Sequence, residues 1–222
     1  MTVDQLMAAL RLAHIAAGMT ALVVAPAAML TSKGGPAHRR WGKVYFWMMA
    51  VVAATAVVLS LYRPQIFLAL IAVFSFYSAF SGYRALYRKR PLAGQGPKGW
   101  DWAAAGVVVA ASAMLLGLGI WRPGPAWERL GVVPVVFGVL GLVLGGRDLQ
   151  RFARPPAARQ QWWFDHMGGM LGSYIATVTA FSVVNFDLLP VGVRWLWPTV
   201  LGVPLIAAWI TYYSRRFQRA AA

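Results

Sequence analysis

The chain has 222 residues, 59% of them hydrophobic, no cysteine, and 21 Lys and Arg against six Asp and Glu, a formal net charge of +15. The missing cysteines exclude disulfides, thiolate nucleophiles and Cys-ligated zinc or iron–sulfur centres. The positive charge does not form one patch; it is scattered over short connections between apolar stretches, which is the pattern of anchoring against anionic lipid headgroups, and no nucleic-acid partner is expected.

Seven stretches are predicted to be membrane-spanning helices: residues 6–30, 41–62, 65–87, 102–121, 127–146, 162–186 and 195–213. Each is near the ~20 residues that a helix needs to cross a ~30 Å hydrocarbon core. The first is preceded by Asp4 and by no basic residue, so it reads as a retained helix rather than a signal peptide; Arg11 and His14 lie three apart on one of its faces. The second is approached through Ala37-His38-Arg39-Arg40-Trp41-Gly42-Lys43. The third carries Ser75, Ser78, Ser81 and Gly82, small residues that permit close helix packing. The fourth and fifth are almost wholly apolar. The sixth begins beside Asp165 and His166 and continues with Met170, Ser173 and Thr177 at helical spacing, along with Gly168, Gly169 and Gly172. The seventh has no lysine, which excludes a retinal Schiff base there.

Lys and Arg divide unequally between the two sets of connections. One set holds Lys33, Arg39, Arg40 and Lys43, then Arg84, Arg88, Lys89, Arg90 and Lys98, then Arg147, Arg151, Arg154 and Arg159, then Arg215, Arg216 and Arg219. The other holds Arg63, Arg122, Arg129 and Arg194. The positive-inside rule places the first set in the cytoplasm, the N-terminus outside and the C-terminus inside. The expected fold is therefore all-α, a single domain over 1–222 built as a seven-transmembrane helix bundle. His38 and His166 stand at corresponding positions of two helix triplets, which suggests a 3+1+3 parallel pseudo-repeat, an arrangement found among transporters such as the SWEET sugar carriers.

Within the spans, polar chemistry is sparse. All six acidic residues lie near predicted helix ends, which disfavours a carboxylate-centred cation pump. His14 sits 16 residues before Leu30, roughly 24 Å at ~1.5 Å per residue, whereas His166 is about one turn inside the same face, so the three histidines cannot share a zinc ion. An imidazole inside an apolar helix needs a partner, and Asn185 or another polar group near the outer face is the expected one for His14. No nucleophile, base and orienting group come together, which argues against catalysis. Three readings follow. A ligand-binding or small-solute transport protein would use a bundle interior lined by His14, Tyr174, Thr177 and Asn185, with His38, Asp165, His166, Arg39 and Arg40 forming a mouth at the cytoplasmic face. A redox protein would hold haem or a transition metal between His38 and His166. An accessory subunit, in a homo-oligomer or a larger membrane complex, would need no site.

His14 with Gly18, the AHRRWGKVY segment, the HMGGMLGSYIATVTAFSVVN run and the WPTVLGVPLIAAW run resemble a family of bacterial multi-pass membrane proteins known as a domain of unknown function. The resemblance implies a bacterial cytoplasmic membrane and adds weight to His14, His38, His166, Thr179 and Asn185, which match polar positions of that family. It implies no activity.

Overall fold

A computed structural model describes residues 2–90, 93–156, 158 and 160–219. Arg159, counted above among the cytoplasmic charges, lies outside the described residues. Eight helices follow one another: α1 (Val3–Leu30), α2 (Pro36–Tyr62), α3 (Ile66–Ala85), α4 (Gly99–Trp121), α5 (Pro125–Leu130), α6 (Val133–Ala153), α7 (Gln161–Asn185) and α8 (Val191–Arg219). All but α5 are long and apolar enough to cross a membrane, and no strand occurs among the described residues.

Local chemistry explains the ends. Thr2 Oγ1 accepts from the Gln5 N–H at 3.3 Å while Gln5 Oε1 accepts from the Thr2 N–H at 2.8 Å, so two donors with no partner inside α1 are satisfied reciprocally. Pro36 opens α2, where its missing N–H costs nothing, and this draws His38, Arg39 and Arg40 into the first turns of the helix. The fifth predicted span is the one that shifts. Gly131 adopts φ +59°, breaking the 127–146 stretch after the short α5, and Pro134 starts a new helix that runs on to Ala153. Arg147, Asp148 and Arg151, expected in a loop, are consequently helical.

Small residues determine which helices touch. A Cβ on Gly82 would stand 2.8 Å from the Met170 nitrogen, and one on Gly169 would stand 2.6 Å from Gly82 Cα, so α3 and α7 cross backbone against backbone. Along α6, a Cβ on Gly138 would meet the Leu116 backbone at 2.8 Å and one on Gly145 would meet Val109 at 2.7 Å, which seats α6 on α4. The helices α1, α2, α3 and α7 form one group, with α1 against α2, α2 against α3, and α7 against both α3 and α1. Across this group α2 and α7 are joined by side chains: the buried Tyr45 hydroxyl hydrogen-bonds Ser173 Oγ at 2.8 Å and Thr177 Oγ1 at 3.3 Å. The two predicted triplets are not packed alike, because α1 lies along α2 whereas α6 lies along α4 rather than α7.

Candidate functional site

Arg39, Arg40, Arg84, Arg88, Arg151 and Arg215 all fall at one end of the helices, here called the basic end. Two of the three histidines stand there. His38, in the first turn of α2, directs Nδ1 at the Ala28 carbonyl 2.9 Å away in the last turn of α1. His166, in the second turn of α7, directs Nδ1 at the Gly82 carbonyl, also 2.9 Å away, in the last turn of α3. The final carbonyls of a helix have no N–H partner within it, so each imidazole caps a neighbouring helix. A carbonyl can only accept, and Nδ1 of both rings is therefore the protonated nitrogen. Nε2 is left as a lone-pair acceptor, the tautomer a metal ligand requires. The two ring centres are 6.3 Å apart with planes at 80°.

Asp165 does not join this pair. Its carboxylate accepts from the Arg151 guanidinium and from Gln161 Nε2 at 2.8 Å, and it lines a separate polar cavity of about 660 Å³ with Asp148 and Arg147. Asp148, expected at a helix end, is buried in that cavity's wall and accepts from the Tyr77 hydroxyl at 2.6 Å and from Ser81. Arg39 and Arg40 are exposed and form no side-chain hydrogen bond among the described residues.

The residues expected to line one interior path are separated. His14 donates from Nδ1 to the Val52 carbonyl at 3.1 Å and lies 2.9 Å from Thr55 Oγ1; its partner is the antiparallel α2, not Asn185. Asn185 is exposed and donates to the Phe181 carbonyl of its own helix. The Tyr174 hydroxyl reaches the Leu22 carbonyl at 3.4 Å, and Thr177 is buried beside Tyr45 and Met49. Of the four, His14 alone borders the cavity of about 440 Å³ that opens between α1, α2, α3 and α7 towards the other end. Tyr45, 2% exposed, lies along α2 between His38 and the cavity-lining Met49. The residues that sequence reasoning missed here are Arg11, Ser60, Arg63 and Ser75, which line the cavity with His14. The spacing of Arg11 and His14 was the available signal for the first of these.

Among the described residues no cluster of three or more His, Asp or Glu has metal-site geometry. No curated protein and no solved structure matches the chain. A family model described as a predicted membrane protein (DUF2306) matches residues 11–96, the segment that carries His14, His38 and the Gly82 carbonyl, so over that segment the chain is similar to a membrane-protein family of unknown function.

Proposed function

We propose that this multi-pass membrane protein holds a haem near its basic end, with His38 and His166 as the two axial ligands, and serves as an electron-transfer component of a bacterial cytoplasmic membrane. The observation that carries the reading is the separation of the two rings. Imidazoles on opposite sides of one metal, with bonds of ~2 Å and ~1 Å more from nitrogen to ring centre, have centres about 6 Å apart. The value here is 6.3 Å, with both Nδ1 atoms committed to carbonyls. A bare zinc ion needs four donors, and the pair supplies two; a haem brings four nitrogens of its own and lacks two. Gly42, one turn beyond His38, has open space where a side chain would stand, and Arg39 and Arg40 offer free positive charge for propionates.

The bound group would supply one-electron chemistry; the chain's own residues set the ligand tautomer and hold both rings. The charge rule puts this end in the cytoplasm against anionic headgroups. A solute carrier is less well supported, because of His14, Tyr174, Thr177 and Asn185 only His14 borders the cavity.

The test is optical. Full-length protein purified after expression with a haem precursor should carry about one haem per chain with the spectrum of a six-coordinate low-spin iron. His38→Ala and His166→Ala should each lose it, while His14→Ala should keep it. Folded wild-type protein that takes up no haem would overturn the proposal.

A further inference from the structure

The cavity of about 440 Å³ at the end opposite the histidine pair is bordered by two polar side chains, Thr179 and His14. Thr179, on α7, is 2% exposed, and its Oγ1 has no hydrogen-bond partner. Thr20, Thr55, Thr177 and Thr211 donate to the carbonyl four residues back, whereas Thr179 does not. A buried hydroxyl without a partner is costly, and an acceptor in the cavity that Thr179 borders would satisfy it. The second is the half-buried His14. Because His14 Nδ1 donates to Val52, Nε2 is left as an acceptor.

The remaining walls are predominantly apolar, among them Met49, Val52, Ile71, Phe137, Val183 and Trp195. Arg11 and Arg63, both exposed, stand at the rim. One water could bridge two polar atoms, but it fills only ~30 Å³ and leaves the apolar volume empty. The volume falls within the range of roughly 300–1,000 Å³ typical of small-molecule sites.

We propose that this cavity binds a membrane-soluble amphiphile with a hydrocarbon body and a head carrying both a hydroxyl and an oxygen acceptor. The hydroxyl donates to His14 Nε2, and the oxygen accepts from Thr179. A protonated fatty acid and a quinol share this chemistry. The site is distinct from the histidine pair, since neither His38 nor His166 borders it.

The test uses full-length protein in detergent, with fluorescence of the protein's tryptophans, Trp195 of the cavity wall among them, as the readout and two probes, oleic acid and a short-chain ubiquinol. Saturable binding of one probe at about one per chain supports the proposal and identifies the source. Thr179→Val should then weaken that probe ~3–10-fold, the value of one hydrogen bond. Ala176→Trp, which fills the cavity, should abolish binding at unchanged helix content. Failure of both probes to saturate, or wild-type affinity in both variants, would overturn it. The haem spectrum of Thr179→Val should be unaltered, which separates failure of this site from failure of the haem assignment.

Discussion

Asp101, at the third position of α4, has a side chain with no exposed surface. Its carboxylate accepts from Arg84 at 2.9 and 2.8 Å, from Arg88, and from the Lys98 backbone N–H at 2.8 Å. The ion cluster ties the end of α3 to the start of α4 across the long connection between them. Two guanidiniums left facing a neutral amide would be poorly compensated, so Asp101→Asn should cost ~3–5 kcal/mol of stability, far above the ~0–1 kcal/mol of an exposed pair. Equilibrium unfolding in mixed micelles measures it, and a loss under ~1 kcal/mol would show that water reaches the cluster. His14 teaches a related lesson at the same scale. Its need for a polar partner was legible from an imidazole in an apolar run. Which partner was not, because Asn185 was the expected one until the facing of α1 and α2 brought Thr55 to the ring.

At the scale of the element, the contact between α4 and α6 is governed by glycine. Gly138 and Gly145 leave no room for a side chain, whereas nothing stands within 4 Å of a Cβ on Gly146 of the same helix. Gly138→Ile should therefore unseat α6 and cost about 1–3 kcal/mol, as overpacking does, while Gly146→Ile should cost nothing measurable. Thermal unfolding of both variants in detergent makes the comparison; equal midpoints would contradict the tight crossing. Element boundaries in the sequence followed hydropathy, and they failed where hydropathy and backbone geometry disagree. The apolar window over 127–146 ignores the positive φ of Gly131, so α6 lies further towards the basic end than expected. The charged turns at the ends of α6 and α8 are helical as well, because a helix keeps its backbone hydrogen bonds while long basic side chains extend from it.

For the molecule as a whole, seven crossings would put the two termini on opposite sides, and the expected orientation has a direct test. The chain has no cysteine, so a single introduced thiol reports alone. In intact cells, Ala93→Cys should be shielded from a membrane-impermeant reagent and Asp187→Cys should react, both positions being exposed loop residues. Labelling of Ala93→Cys instead would reverse the topology.

The existence of seven membrane-length helices and their approximate limits were readable from the residues, because helix length and hydropathy are local properties of the chain. The neighbours of each helix were not readable. Those depend on contacts such as Gly82 with Gly169, between segments distant in sequence, where the close approach of two backbones selects one arrangement among many of similar hydropathy. The candidate site divides in the same way. His38 and His166 were identifiable as imidazoles near one membrane face. Only the packing of α1, α2, α3 and α7 brought their rings to 6.3 Å, turned both Nδ1 atoms to helix-end carbonyls, and left Thr179 without a partner beside the cavity that His14 lines.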